Sequence, residues 1–498
     1  MQLGLFLDDN SGVPIYKQLA NGIEQRILTG QLEPGFKLPS SRELAESLVV
    51  SRCTASKAYE LLQFRGLIMS HPAVGTFVSS TVPNRSAAQD GIEEPAPIKQ
   101  PKNEEPHRLS DYGAHIMSSQ TIGSADVELF PELNFGAPAA ENLPLVKWQE
   151  ALVRATRTRT LRPQDYRSDA LGCEVLRKAL ADYVRRTRGI TCSFEQIALF
   201  SSAQSALDLL SRLLINSGDV TAVENPGFPG VRRTFASHGA TVCPVPIDKH
   251  GLMVSELSRQ PATRLVYVTP SHHDPSGAVL SPVRRVQLLR WAQANQAIVI
   301  EDDFDCEYRY TDTPLPALFA SDDTGCVVYL SSFWKTMFPV LKLGFVILPP
   351  RLLPAVRRAK SLIERDFHSV EHEALAHFIN EGHLERHIRR TRAIYARRRA
   401  ELIARVNTHL GSRVRMSPVS AGTHLAVQFD LAVAEEVLLQ LACQAGLPMV
   451  PTSAYYASEP GNCEMLIPFA HVDETHLAFA IECFASILTA HVDQQICT

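Results

Sequence analysis

A long polar and proline-rich stretch between about residues 81 and 125 is the feature that most restricts how this chain can fold. Segments such as Thr81–Asp90 and Gly91–Pro101 hold few side chains able to form a core, a composition typical of a linker. At 498 residues the chain is also too long for one ordinary domain. We therefore predict two domains, residues 1–80 and 126–498, joined by an extended and partly mobile linker at 81–125.

Composition narrows the class of protein. Apolar residues make up 45% of the chain and the net charge is −4, so the whole molecule is not a general polyanion binder. No run of eighteen apolar residues is present, and Asp8 and Asp9 interrupt the start where a signal peptide would stay apolar. The ten cysteines show no paired spacing, which favours reduced thiols in a cytoplasm over disulfides or a metal site. These features predict a cytoplasmic protein without a membrane partner or a metal.

The first eighty residues carry the pattern of short helices followed by a hairpin. Apolar residues recur every fourth position through Pro14–Leu28, which predicts an amphipathic helix. Ser40, with Glu43 three residues later, is typical of a capped helix start, and Ser51–Leu62 predicts a second capped helix after a short turn. Gly66–Val78 alternates around a turn and predicts a two-stranded wing.

Helix, turn, helix and wing is an arrangement in which the second helix enters the major groove of DNA. The exposed first turn of that helix offers side chains suited to base edges and phosphates. We predict DNA contacts from Arg42, Ser51, Arg52, Thr54, Ser56, Lys57 and Gly75. A small helical domain with ordinary solvated charges is the alternative, because residues 1–80 hold seven basic and seven acidic residues and so carry no net charge.

Residues 126–498 alternate between strand-like and helix-like patterns. Short apolar runs bounded by turn residues occur at Arg264–Thr269, Ala297–Ile300 and Cys326–Leu330, each beside a helical pattern. This alternation predicts an α/β domain built on a mostly parallel sheet.

The motifs of both domains resemble those of known families. In the first, Leu38–Ala45, Val50–Arg52 and Gly75–Val78 resemble the winged helix of the GntR superfamily. From about residue 134 the chain resembles the fold-type-I aminotransferases, in motifs that follow the family order: Asn134–Pro138, Leu176–Arg177, Arg188–Gly189, Ser202–Gln204, Gly218–Asp219, Glu224–Phe228, Thr269–His272, Glu301–Asp303 and Leu384–Arg390. The combination resembles the MocR subfamily of GntR regulators. It implies an α/β protein with an N-terminal winged helix-turn-helix and a large PLP-dependent transferase-like (fold type I) domain.

The resemblance implies a binding site for pyridoxal 5'-phosphate (PLP). Its residues would be Lys335, Asp302, Phe228, Ala203, Gln204, Ser332 and Lys342. Lys335 would hold the aldehyde as a Schiff base, and Asp302 would pair with the pyridine nitrogen. Amides at a helix start, with Ser332 and Lys342, would bind the phosphate. Phe228 would stack on the ring; a plain core aromatic is the alternative.

The resemblance further implies a homodimeric regulator that binds a double-stranded DNA operator and senses PLP, or an adduct of PLP with an amine or an amino acid. Sites of fold-type-I proteins are built across a subunit interface, so dimerisation and sensing are expected to be coupled. Two alternatives stay open. One is an active aminotransferase with an appended DNA-binding module. The other is a DNA-binding dimer whose aminotransferase-like domain has lost its cofactor.

Several positions depart from the family pattern. Phe304 stands where the family has a tyrosine that donates to the cofactor's phenolic oxygen. Lys342 replaces an arginine and Trp334 a small residue. Asp274 would bring a second carboxylate near that oxygen, unless a proton or His272 intervenes.

Two further stretches bear on substrate and surface. No arginine or lysine follows Arg415, and Glu464–Ala470 covers the region where the family has an arginine that holds a substrate carboxylate. Without that clamp a full transamination cycle is not expected. The segment Arg386–Arg399 is basic, which is typical of a solvated helix face; a second DNA-contacting surface is the alternative.

Overall fold

The computed structural model describes residues 13–71, 74–79, 109–118, 136, 138–158, 169–259, 262–310, 315–364, 369–417, 421–431, 433–458 and 463–496. Within this part of the chain there are two units, one lying in Met1–His107 and the other in Arg108–Thr498.

The first unit combines three helices with a small antiparallel sheet. Its elements are α1 (Ile15–Leu28), β1 (Lys37–Leu38), α2 (Ser41–Leu48), α3 (Arg52–Phe64), β2 (Ile68–His71) and β3 (Gly75–Val78), with the strand order β1-β3-β2. The apolar stripe predicted for α1 is buried at Leu19, Ile23 and Ile27. The predicted winged helix-turn-helix is confirmed.

The bounds of α2 and α3 follow from local chemistry. The Ser40 side chain accepts a hydrogen bond from the Glu43 amide at 3.2 Å, while the Glu43 carboxylate accepts one from the Ser40 amide at 2.8 Å. This is the reciprocal cap that the sequence predicts. The chain turns after α2 at Val49, whose φ is 54°. Ser51 then caps α3 by accepting from the Thr54 amide at 3.0 Å.

An eight-stranded, mostly parallel sheet forms the centre of the second unit. Its strands are β4 (Ile197–Phe200), β5 (Val220–Asn225), β6 (Thr241–Asp248), β7 (Gly251–Leu252), β8 (Thr263–Val268), β9 (Ile298–Asp302), β10 (Val327–Ser332) and β11 (Gly344–Ile347). Their order is β4-β11-β10-β9-β8-β5-β6-β7, and the five strands from β10 to β6 in this order run parallel. The three predicted strands are confirmed to within two residues at each end, and the predicted fold class is confirmed with them.

Helices cover both faces of this sheet. The described helices of the second unit are α4 (Asp111–Ser118), α5 (Leu145–Thr158), α6 (Glu174–Arg188), α7 (Ala203–Leu214), α8 (Pro229–Ser237), α9 (Val254–Leu257), α10 (Pro282–Ala294), α11 (Trp334–Met337), α12 (Leu353–Ile363), α13 (Val370–Asn380), α14 (His383–His409), α15 (Glu435–Ala445) and α16 (Glu474–Ile496). Single 3-10 turns lie at Ala140–Asn142, Phe194–Gln196, Phe319–Ser321, Pro350–Leu352, Gly411–Arg413 and Ser453–Tyr455. Alternate residues of β4 enter different cores, Ile197 with α5, α6 and α13, and Ala198 with α7, α8 and α12.

A smaller sheet and the C-terminal helices form a further core. The strands β12 (Val414–Met416), β13 (His424–Phe429), β14 (Val450–Pro451) and β15 (Cys463–Pro468) are antiparallel in the order β12-β13-β15-β14. Among the described helices, α16 alone is long and apolar enough over Glu474–Val492 to cross a membrane by length and composition. Its Ile481 and Phe484 are fully buried in this core, against Leu438 of α15.

Part of the predicted linker is helical. Residues 109–118 hold α4 instead of extended chain, and the rest of 81–125 lies outside the described residues. α4 packs against α8. The Tyr112 hydroxyl donates to Asp208 at 3.4 Å, and the Tyr112 and His238 rings lie 4.9 Å apart. This helix therefore belongs with the second unit.

Truncation of Leu62 should destabilise the first unit. Leu62 is fully buried in its core, so Leu62→Ala should cost about 2–5 kcal/mol of local unfolding free energy. Phe64→Ala is the matched control on α3, because the Phe64 ring is 90% exposed. Hydrogen exchange of the α1 and α3 amides in the full chain measures the effect. Equal acceleration in both variants would contradict this account of the core.

Candidate functional site

A cavity of about 320 Å³ lies where β8, β9 and β10 end and α7 begins. In doubly wound folds this edge of the sheet is where ligands bind. All seven residues predicted to bind the cofactor line the cavity: Lys335, Asp302, Phe228, Ala203, Gln204, Ser332 and Lys342. The remaining lining residues are Ser202, Leu207, Tyr267, Asp274, Phe304, Trp334, Leu343 and Tyr455.

Lys335 projects from α11, the short helix that follows β10. Its Nζ atom lies 3.4 Å from the Thr423 hydroxyl and 5.5 Å from the centre of the Phe304 ring. Burial lowers the pKa of the Lys335 amine, against the opposing attraction of nearby carboxylates. A Cβ atom at Gly136, where φ is +83°, would overlap this amine. Glycine at position 136 therefore gives the lysine its space.

Asp302 ends β9, and only one of its two carboxylate oxygens has a hydrogen-bond partner among the described residues. Its Oδ2 atom accepts a hydrogen bond from the Tyr267 hydroxyl at 2.6 Å. Its Oδ1 atom is buried and has no hydrogen-bond partner among the described residues. Burial raises the pKa of Asp302 to about 7; the bond from Tyr267 opposes this rise, and nearby carboxylates add to it. The carboxylate thus lacks one donor, and Asp302 lines the cavity.

The start of α7 forms an anion-binding end of the cavity. Ser202 caps the helix by accepting from the Ser205 amide at 3.1 Å. The amides of Ala203 and Gln204 lie in the first turn, where backbone donors lack helical acceptors and the helix dipole is positive. A Cβ atom at Gly344 would come within 2.7 Å of the Ala203 nitrogen, so glycine lets β11 lie close to this end.

Aromatic side chains complete the wall. Phe228, directly before α8, lines the cavity and also packs on the adjacent core, so both roles proposed for it are compatible with its position. Tyr267 and Tyr455 are lining residues that sequence reasoning missed. The Tyr455 carbonyl accepts from the Gly227 amide at 3.0 Å, which joins its 3-10 turn to the loop that carries Phe228.

Asp274 lines the cavity, and His272, one of the two groups considered as its shield, is paired with another carboxylate. His272 instead pairs with Asp305, with Nδ1 at 2.9 Å from the carboxylate, and stacks on Phe304 at a ring distance of 5.9 Å. His272 and Asp305 thus form a buried pair. Burial raises the pKa of Asp274 to about 6, with the Lys335 amine opposing. Burial therefore makes Asp274 easier to protonate than an exposed aspartate.

The described charged residues that line the cavity include no arginine that could bind a substrate carboxylate. The described lining carries two cations, Lys335 and Lys342, and two carboxylates, Asp274 and Asp302, but no arginine. In the stretch where the family has its substrate arginine, Leu466 is fully buried in β15. Among the described residues, nothing at that position can orient an amino-acid carboxylate.

The predicted DNA contacts gather around the start of α3. Arg52 and Lys57 are exposed, and the Tyr59 hydroxyl donates to the Pro39 carbonyl at 2.7 Å, which fixes α3 against the start of α2. The Ser51 and Thr54 hydroxyls bond each other at 2.8 Å within the cap. Of the other predicted contacts, Ser56 is half-buried in α3, Arg42 pairs with exposed Glu46 at 3.1 Å, and Gly75 opens β3.

Comparison with known proteins decides the family. A model described as bacterial regulatory proteins, gntR family, matches residues 15–78, and one described as aminotransferase class I and II matches residues 133–482. The chain is 31% identical over 492 residues to the probable rhizopine catabolism regulatory protein MocR of Rhizobium meliloti, which covers 98% of this chain and 96% of that protein. The chain is a MocR-type member of the GntR family.

Other relatives agree with this assignment. The MocR-type chain is 28% identical over 483 residues to the pyridoxine biosynthesis transcriptional regulator PdxR of Corynebacterium glutamicum, covering 96% of this chain and 97% of that one. The kynurenine aminotransferase of Pyrococcus horikoshii has the same fold, with a TM-score of 0.68 at 24% identity over 76% of this chain and 96% of that chain. The protein is thus a transcriptional regulator with an aminotransferase-like domain.

Replacing Asp302 should change how stability depends on pH. The pKa of Asp302 rises from 3.8 to about 7 on folding, so the folded protein holds the proton of this carboxyl more tightly than the unfolded chain does. The stability that depends on this proton is complete below pH 3.8 and is lost as the pH rises through about 7. In cofactor-free protein, Asp302→Asn should therefore gain on the order of 3 kcal/mol over wild type above neutral pH. Denaturant unfolding at a series of pH values measures this. Exposed Asp182→Asn is the control, and parallel curves for wild type and Asp302→Asn would contradict the assignment.

Proposed function

We propose that this regulator binds PLP in the cavity at Lys335 and that occupancy of the cavity adjusts DNA binding by the winged helix. One observation carries the proposal: the buried Oδ1 atom of Asp302 has no hydrogen-bond partner among the described residues. Buried polar atoms in folded proteins rarely lack a partner. A protonated pyridine nitrogen would supply the missing donor.

The other groups of PLP have suitable partners in the same cavity. The lowered pKa of Lys335 favours the neutral, nucleophilic amine that would hold the aldehyde. The first amides of α7, with Ser332 and the cation of Lys342, would hold the phosphate. Bound there, PLP would supply an aldehyde that takes up amines and a ring that withdraws electrons. Phe304 cannot donate a proton to the phenolic oxygen of PLP, and Asp274, whose pKa burial raises, is the nearby lining group that could take one up.

The charges of the cavity also favour one class of effector. Two carboxylates and no arginine line the described cavity, so an α-amino acid would find no partner for its carboxylate. We infer that the effector is PLP itself or an amine that carries no carboxylate. The name of the relative PdxR, a pyridoxine biosynthesis regulator, supports the first of these. The same lack of a clamp argues against an active aminotransferase.

The protein is proposed to act as a cytoplasmic homodimer on double-stranded DNA. A twofold assembly would present two copies of α3 to two half-sites, one or more helical turns apart. The exposed side chains of Arg52 and Lys57 would contact the major groove, with Ser51, Thr54 and Ser56 nearby.

Addition of PLP to the purified protein should produce a visible absorbance band that borohydride traps on the protein. Lys335→Ala should lack the trapped band, because Lys335 is the lining amine whose pKa burial lowers towards the neutral, nucleophilic form. Lys342→Ala is the matched control and should keep the band, with PLP affinity about tenfold lower through loss of one phosphate contact. No band in wild type would refute PLP binding and leave a DNA-binding dimer with an aminotransferase-like scaffold.

Matched amine and amino-acid pairs should then separate the effector classes. Tyramine or cadaverine should shift the PLP band and change operator affinity, whereas tyrosine or lysine should act much more weakly, since their carboxylates meet no described arginine. Spectral titration and gel-shift assays on the same samples measure both effects. Equal responses to both members of each pair would contradict the inferred effector class but not PLP binding.

Arg52→Ala should weaken operator binding and relax its sequence preference by about 1–3 kcal/mol, because Arg52 is exposed at the first turn of the groove-entering helix. Lys17→Ala, exposed on α1, makes the same change of charge away from that turn. The operator is obtained by selection from random duplexes, and affinity is then measured at several salt concentrations. An equal loss in both variants would mean that α3 does not read the sequence.

A further inference from the structure

A second cleft lies in the second unit, apart from the cofactor cavity. It measures about 540 Å³ and shares no lining residue with that cavity. It is formed by the end of α6, residues 306–310 after β9, and the first half of α14. Five arginines line it: Arg186, Arg188, Arg309, Arg389 and Arg392. We refer to these five residues and the space between them as the arginine cleft.

Two of the five arginines are neutralised by the protein itself. Arg188 pairs with buried Asp303 at 2.6 Å, and Arg186 pairs with Glu385 at 2.6 Å. The only other lining carboxylate is that of Glu307. Burial, with Asp303 nearby, raises the pKa of Glu307 to about 7, so near neutral pH its negative charge is only partial. The described lining therefore keeps an excess of positive charge.

The other three arginines, Arg309, Arg389 and Arg392, form no ion pair with any described residue. Arg392 donates through Nε to the Glu307 carbonyl at 2.7 Å, which directs its planar end along the cleft. Arg309 donates to the Ser271 carbonyl at 3.1 Å, and its Nε atom is buried without a hydrogen-bond partner in the described structure. A buried guanidinium nitrogen without an acceptor is costly, and an anion would satisfy it.

The neighbouring arginines of α14 make their contacts outside the cleft. Arg386 donates to the Glu381 carbonyl, Arg390 to the Asn142 carbonyl, and Arg397 and Arg398 pair with Glu474. These side chains hold the domain together. Arg386 and Arg390 form no ion pair with a described residue either, but unlike Arg309, Arg389 and Arg392 they do not line the cleft.

We propose that the arginine cleft binds a small phosphate-type dianion, such as inorganic phosphate or a phosphate monoester. Planar guanidinium groups match phosphate oxygens through paired hydrogen bonds, and three of them converge here from two different segments. The volume falls in the range of small-molecule sites. The backbone of DNA offers the same chemistry, but a recess between α6 and α14 suits a small ligand better than an extended strand.

Calorimetric titration of the full-length protein with inorganic phosphate, at constant ionic strength, tests the proposal. Arg389→Ala/Arg392→Ala should weaken binding at this site by at least about tenfold. Arg386→Ala is the matched control, because it lies on the same helix outside the cleft. Lys342→Ala removes a cation of the cofactor cavity and should leave the arginine-dependent binding unchanged.

Three outcomes would overturn the proposal. The first is no saturable binding of phosphate by the wild type. The second is an equal loss in Arg386→Ala, or a loss in Lys342→Ala alone, which would place the binding elsewhere. The third is weaker binding of non-specific duplex by the double variant, with a smaller salt dependence but unchanged phosphate binding. That result would make the cleft a contact for the DNA backbone.

Discussion

Three consecutive carboxylates buried at the end of β9 constrain the rest of the second unit. They are Glu301, Asp302 and Asp303. Removing charges from water is expensive unless each finds partners, so the fold must bring donors to this strand end. Glu301 accepts from the amides of Leu318 and Phe319, and Asp303 pairs with Arg188 of α6. Neighbouring side chains leave a strand on opposite faces, so Asp302 points away from the other two.

Two of these three carboxylates have structural partners, and the third is left for a ligand. Glu301 and Asp303 are satisfied by the chain itself, and the contacts that satisfy them fix α6 and the turn at Phe319–Ser321 against the sheet. Asp302 receives one bond, from Tyr267, and lacks a described donor for its other oxygen. Without a ligand, Asp302 therefore lowers the stability of the folded protein. A ligand with a positively charged nitrogen would pair with it, and a ligand that binds only the folded state stabilises that state.

The helix starts of the first unit and several residues of the candidate site could be predicted from local chemistry and from the order of motifs. Ser40 and Ser51 were predicted as caps because capping depends on residues within one turn, and the resemblance placed Lys335 and Asp302 in one site. Tyr267 and Tyr455 were missed, since their roles come from partners far along the chain. The sequence did offer one signal for Tyr267, which is a hydroxyl-bearing side chain within a strand predicted for the domain interior. Composition suggested an extended linker across 81–125, but it averages over residues and cannot show an eight-residue helix that is stabilised by packing.

The position of α4 bears on how a ligand signal could leave the cavity. Tyr112 of α4 contacts Asp208 of α7 and His238 at the end of α8. α7 begins at Ala203, which lines the cofactor cavity, and α8 begins directly after Phe228, which also lines it. The helix that follows most of the predicted linker is thus attached to the two helices whose first residues would meet the ligand. A shift of either helix on binding would therefore act on α4.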